Sequence, residues 1–87
     1  MSGSLRERCR AFLERPVPAD VDYVPGSVAE LVLRLAAEGA PLDPELLELL
    51  GLCIPESLEA AERHAGEARE YFRTSAALLE EIAARGR

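Results

Sequence analysis

The chain has 87 residues with a formal net charge of −6, and 48% of its residues are hydrophobic. This length predicts one domain, covering residues 1–87. An acidic domain repels phosphate backbones, so nucleic-acid binding is not expected. No apolar run approaches the roughly 18 residues of a membrane span, and the N-terminus lacks the apolar core of a signal peptide. We therefore expect a cytoplasmic protein that binds neither nucleic acid nor a membrane.

Composition favours an all-α fold. Leu, Ala, Glu and Arg dominate the chain and are strong helix formers, whereas Ile and Val, which favour strands, are few. The two cysteines, Cys9 and Cys53, lie among apolar neighbours, so we expect free thiols in a reducing compartment and no disulfide. The expected fold is a small four-helix domain in which three short helices pack on a long C-terminal amphipathic helix.

The first helix is predicted over 5–14, where apolar residues recur at helical spacing on one face. Ser4 is the expected N-cap because Glu7 lies three residues later, which is the pattern of a capping box. Prolines then end the helix and keep residues 15–26 extended. Because this proline-rich strap also carries apolar side chains, we expect it to lie across the other helices.

The remaining helices are predicted over 27–38, 44–50 and 55–85. Ser27 begins the second in another capping box, and Gly39 is its expected terminator. Gly51 is expected to end the short third helix. Pro55 is expected in the first turn of the fourth, where its missing N–H costs nothing.

The fourth predicted helix carries an apolar seam along its whole length. From Leu58 to Ile82, apolar and small residues alternate at spacings of three and four, as in helices that pack lengthwise on another helix. A helix of about 30 residues would extend about 45 Å, longer than a compact bundle of this chain. We therefore expect the seam to contact a partner or a second copy. The expected contact residues are Ala61, Ala65, Ala68, Tyr71, Phe72, Leu78, Leu79 and Ile82. Alternatively, the other helices of the same chain cover the seam.

Ser27 has a second interpretation. An acidic chain with four predicted helices, a long loop after the first and a serine opening the second resembles the acyl and peptidyl carrier proteins in layout, over about residues 5–51. The resemblance implies phosphopantetheine on Ser27. In those carriers Asp or a Gly-Gly-x pattern precedes the serine, whereas residues 24–26 here are Val-Pro-Gly. An N-cap paired with Glu30 is the simpler interpretation, and no cofactor is expected.

The other chemistry-bearing residues do not form a recognised site. His64, Glu67 and Tyr71 share one stripe of the fourth predicted helix, but a metal site needs further ligands and a satisfied outer shell. Asp20 and Asp22 have the spacing of a DxD metal-diphosphate motif without a glycine-rich phosphate loop, and turn chemistry accounts for them. We predict no catalytic residues and no metal.

The function expected from these features is a non-enzymatic protein-interaction or regulatory module. It would form a homodimer or bind a partner protein through its C-terminal helix, with large apolar anchors supplying most of the binding energy. Three alternatives remain open. They are a carrier domain modified on Ser27, a small helical enzyme with a cleft of convergent polar groups, and an acidic inhibitor or antitoxin-like partner of a basic protein.

Overall fold

The computed structural model describes residues 4–15 and 28–85 of the chain. Within these ranges it forms four α-helices and no strand, which confirms the predicted all-α four-helix class. The helices are α1 (Leu5–Glu14), α2 (Val28–Glu38), α3 (Pro44–Arg63) and α4 (Gly66–Arg85).

Helix α1 begins and ends where the local sequence predicts. The Ser4 side chain accepts a hydrogen bond from the backbone N–H of Glu7 at 3.2 Å, so the predicted N-cap is confirmed. One face of the helix is buried, with Leu5, Cys9 and Phe12 in the core.

Helix α2 ends in the predicted glycine terminator. Gly39 has a φ of 73°, and its N–H donates to the carbonyl of Ala36 while the N–H of Ala40 donates to the carbonyl of Leu35. This pair of bonds is a Schellman motif, which needs a left-handed residue at the position of Gly39. Two arginines of α1 add to it, because Arg6 and Arg10 both donate to the carbonyl of Ala37. Their positive charges also stabilise the C-terminal end of α2, where the helix dipole is negative.

The predicted boundaries of the third and fourth helices are wrong. The chain stays helical across Gly51 and Pro55, and α3 and α4 are 20 residues long each rather than one short helix and one long one. Burial explains the continuity: Leu50 is fully buried, and Leu46 and Ile54, one turn away on either side, pack against the core. Pro55 cannot donate a hydrogen bond to the carbonyl of Gly51, but both residues are exposed, so the missing bond does not fall in the core.

The chain reverses instead at His64 and Ala65. Gly66 has a φ of 63°, a left-handed conformation that ends the helical path at little cost only in glycine. Arg69 then stabilises the turn, because its Nε donates to the carbonyls of Ala61 at 3.1 Å and of His64 at 2.9 Å. A continuous helix over 55–85 would extend about 45 Å, whereas the longest dimension of the molecule is 32 Å.

The four helices enclose one core. Helices α3 and α4 form an antiparallel hairpin, α2 contacts the other three helices, and α1 packs on α2 and α4 without touching α3. Helix α1 runs antiparallel to α4, since Arg8 pairs with Glu81 and Phe12 stacks on Tyr71. The core cluster is formed by Leu5, Cys9, Phe12, Val32, Leu33, Ala37, Leu50, Ala68, Tyr71, Leu78, Leu79, Ile82 and Ala83.

Several sequence-based predictions lie outside the described residues. The proline-rich strap from residue 16 onward, the serine at position 27 and the Asp20–Asp22 pair all fall there. The carrier-like modification of Ser27 therefore stays a prediction. Over the two described ranges, none of the helices is both long enough and apolar enough to cross a membrane.

Candidate interaction surfaces

The seam predicted as an interface is part of the core of the monomer. Ala61, Ala68, Tyr71, Leu78, Leu79 and Ile82 are buried. Phe72 is half-buried and Ala65 is exposed in the turn between α3 and α4. The other helices of the chain thus cover most of the seam, as in the alternative that the sequence left open. Phe72 and Ala65 are therefore the accessible members of the set, and the intermolecular contact through this seam stays a prediction.

Aromatic contacts show how the chain covers the seam. The ring of Phe12 on α1 lies 4.8 Å from that of Tyr71, and the ring of Phe72 lies 5.2 Å from that of His64. Tyr71 and Phe72 are themselves packed edge to face at 5.8 Å. Aromatic pairs at such separations add to the energy of burial, so these residues stabilise the fold from inside.

The candidate metal stripe of His64, Glu67 and Tyr71 does not form. The break between α3 and α4 separates His64 from the other two, and its Nδ1 lies 2.8 Å from the carbonyl of Ala60. Glu67 is exposed, whereas Tyr71 is buried. Among the described residues, no three His, Cys, Asp or Glu side chains are grouped as metal ligands.

Both cysteines have environments that suppress nucleophilic chemistry. Cys9 is buried in the core, and desolvation raises the pKa of its thiol even though Arg8 favours the thiolate. Desolvation also raises the pKa of the half-buried Cys53, and the nearby Glu56 adds to that effect. Reactive cysteines need a lowered pKa, so neither thiol has the features of a nucleophile.

An exposed leucine pair on α3 is the most unusual surface feature. Leu52 is 65% exposed and Leu49 is 37% exposed, and they lie one turn apart on the side of α3 that faces away from the core. Glutamates surround them along the same side. We call this surface the leucine stripe, which consists of Glu45, Glu48, Leu49, Leu52, Glu56 and Glu59. All of its residues are exposed.

A second surface is the groove between α1 and α4, with a volume of about 500 Å³. We call it the α1–α4 groove. Its lining residues are Arg8, Ala11, Phe12 and Arg15 from α1, and Glu70, Arg73, Thr74, Ala77, Leu78 and Glu81 from α4. The spacing on each helix is that of one helical face. Three arginines thus line a groove that also contains alanine, leucine and phenylalanine.

The charges of the groove are partly paired. Arg8 forms a salt bridge with Glu81, with Nη1 and Oε2 2.6 Å apart. The hydrogen bond from Arg8 lowers the pKa of Glu81, so this carboxylate stays ionised. Arg15 is held differently, since its guanidinium carbon lies 5.9 Å from the ring centres of both Phe12 and Tyr71. In a chain whose net charge is −6, this local excess of arginine is an exception.

A smaller groove, of about 450 Å³, lies between α1, the loop after α2 and the end of α4. Its charged residues are Arg6 and Arg85. Arg6 already donates to the carbonyl of Ala37 at the end of α2. This groove consequently has less free donor capacity than the α1–α4 groove.

The chain matches no family model, no curated protein and no solved structure. The surfaces of the chain itself are therefore the basis for a functional proposal. Sequence analysis misses the leucine stripe because the helix boundaries predicted at Gly51 and Pro55 place Leu49 and Leu52 in different elements. The signal was present in the four-residue spacing of Leu46, Leu50 and Ile54, which continues across Gly51 and leaves the other two leucines outside the core.

Proposed function

We propose that this chain is a non-enzymatic protein-interaction module whose leucine stripe binds an apolar recess with basic residues at its rim on a partner protein. The observation that carries the proposal is the exposure of Leu52, at 65%, beside the exposed Leu49 within a row of glutamates on α3. Single exposed leucines are common, but two leucines one turn apart within a row of glutamates form a contact surface with defined chemistry.

The surface indicates the partner's properties. Apolar side chains at the centre of a patch supply most of the binding energy when they enter a desolvated recess, so the partner needs an apolar recess for the two leucines. The surrounding glutamates favour arginine or lysine at the rim of that recess, and they repel acidic surfaces and phosphate backbones.

The interior supports the non-enzymatic part of the proposal. Among the described residues the buried core is apolar apart from Ser75, and burial raises the pKa of both cysteine thiols. Enzyme sites usually bring titratable groups together in a cleft and shift their pKa values toward the working pH. Among residues 4–15 and 28–85, the carboxylate with a lowered pKa is Glu81, and the hydrogen bond from its salt-bridge partner Arg8 accounts for the shift.

Site-specific photo-cross-linking in the source cells tests the proposal. With a benzophenone amino acid in place of Leu52, we expect one discrete cross-linked product, and Leu49→Asp in the same chain should abolish it. Leu58 is a matched control position, since it is 43% exposed on the same helix but lies about 120° around the helix from Leu52. The absence of a discrete product at Leu52, or the same product at Leu58, would contradict the proposal.

A further inference from the structure

We infer that the partner of the leucine stripe is a second copy of this chain, whose α1–α4 groove receives the stripe. The inference rests on the interaction function proposed above and gives that interaction a partner. Its basis is that one chain carries both an acidic helix face with exposed leucines and a groove lined by three arginines and by apolar side chains. These two surfaces complement each other in apolar content and charge.

The two surfaces correspond in the position of their apolar parts. The stripe from Glu45 to Glu59 covers about 21 Å along α3, and residues 70–81 of α4 cover about 16 Å of the groove, so the groove can hold the central part of the stripe around Leu52. The groove has small side chains, Ala11 on one helix and Ala77 on the other, in the middle of each lining row. Small residues let a partner helix approach closely, so the side chain of Leu52 can enter between α1 and α4 while the flanking glutamates stay near the groove edges.

Charge favours the same pairing. Arg15 and Arg73 lie on opposite walls of the groove, and neither forms a salt bridge with a carboxylate of the described residues. The guanidinium carbon of Arg15 lies 5.9 Å from the centres of two aromatic rings, and its N–H groups remain able to donate to a carboxylate. Two acidic groups also line the groove: Glu81 is neutralised by Arg8, and Glu70 opposes the stripe. Three arginines and two glutamates line the groove, so it is a locally positive surface on a chain whose net charge is −6.

The topology determines the kind of assembly. Helix α3 contributes no residue to the groove and does not touch α1, so the two surfaces lie on different parts of the molecule. An interface between two different surfaces is heterologous, and it continues into rings or open chains rather than closing as a symmetric dimer. This arrangement differs from the homodimer expected from the sequence.

Complementation between two variants tests the inference. The stripe variant carries Leu49→Asp and Leu52→Asp, and the groove variant carries Arg73→Glu and Ala77→Glu. All four positions are exposed, so both variants are expected to keep the helical circular dichroism of the wild type. Sedimentation velocity and native mass spectrometry then follow the mass of each protein as its concentration rises.

The wild type is expected to associate beyond a dimer, whereas each variant alone is expected to stay monomeric, with binding weakened about 10-fold or more. An equimolar mixture should form a 1:1 dimer and nothing larger, because it retains one intact stripe and one intact groove. Leu58→Asp and Arg85→Glu make the same types of change elsewhere on α3 and in the smaller groove, and they should leave assembly unchanged. Added salt should weaken the wild-type assembly.

Three outcomes would overturn the inference. They are a wild type that stays monomeric up to about 1 mM, an assembly that survives both variants, and a mixture that does not form the 1:1 dimer. The results that would contradict self-association differ from those that would contradict the proposed interaction function. A cross-link from Leu52 to a different, basic protein would support the proposed function while excluding self-association as its basis, and the absence of any discrete cross-link would contradict the proposed function itself.

Discussion

Phe12 and Tyr71 are packed with their ring centres 4.8 Å apart and their planes tilted by 32°, and this contact joins the first helix to the last. The guanidinium of Arg15 lies over both rings. The same contact buries one side of α4 and forms part of a wall of the α1–α4 groove. Core packing and a candidate binding surface therefore depend on one aromatic pair.

Truncating this pair should strongly destabilise the fold. We expect Phe12→Ala to reduce the free energy of unfolding by about 3–5 kcal/mol, because it removes a buried ring and leaves a cavity. Urea unfolding followed by circular dichroism measures the change. Ala11→Ser, at the exposed neighbouring position, should stay within about 0.5 kcal/mol of the wild type. Equal midpoints for the two variants would show that the ring contact is not important for stability.

Replacing Gly51 and Gly66 by alanine should change the stability of the protein in opposite directions. Gly51→Ala should stabilise the protein by about 0.5–1 kcal/mol, because the residue is helical and an added Cβ meets no atom within 4 Å. Gly66→Ala should destabilise it by about 1–2 kcal/mol, because its φ of 63° is unfavourable for alanine even though the space is open. Thermal unfolding of both variants measures the difference. A stabilising Gly66→Ala would mean that the chain does not reverse direction at this residue.

Pro55→Ala tests the continuity of α3. Pro55 lies inside this 20-residue helix, and replacing it restores a backbone donor and removes a steric clash, for a gain of up to about 3 kcal/mol. Urea unfolding and the helical signal at 222 nm measure the effect. Pro44→Ala is the control, since Pro44 lies in the first turn, where its lack of an N–H costs nothing. If Pro55→Ala were destabilising, a helix boundary near Pro55, as predicted from the sequence, would be the better description.

The two cysteines should differ in their reactivity. Cys53 is half-buried and should react first with a thiol reagent in the native protein, whereas Cys9 should react only when the core opens. Burial raises the pKa of both thiols, so unfolding releases a proton at high pH, and stability should fall as the pH rises past the ordinary thiol pKa. Labelling of Cys53→Ser and Cys9→Ser variants separates the two rates. Equal rates in the native protein would contradict the burial of Cys9.

The Arg8–Glu81 salt bridge should be visible in a titration. The hydrogen bond from Arg8 lowers the pKa of Glu81, so the contribution of this pair to stability is present above the ordinary carboxyl pKa and is lost as the pH falls through the lowered value. Carbon NMR should show the pKa of Glu81 returning toward its ordinary value in Arg8→Gln. Arg10→Gln, which removes an arginine bound to α2 instead, should leave it unchanged.

Local features of the sequence were sufficient to predict α1 and the C-terminal end of α2. The capping serine at position 4 and the glycine at position 39 act within a few residues of themselves, so their hydrogen bonds could be predicted without knowledge of the rest of the molecule. The strong helix formers likewise determined the all-α class.

Only the tertiary structure decided where α3 ends and which surfaces remain exposed. Gly51 and Pro55 destabilise a continuous helix by a few kcal/mol at most. Burial of Leu50 and its neighbours on the same face of α3 stabilises the helix by more than this cost. The same packing covered the seam of α4 and left Leu49 and Leu52 in contact with solvent. The sequence by itself therefore determined that the chain is helical and which residues cap its first helices. Long-range burial, which depends on how the helices fold back on one another, determined the hairpin and the surfaces available to a partner.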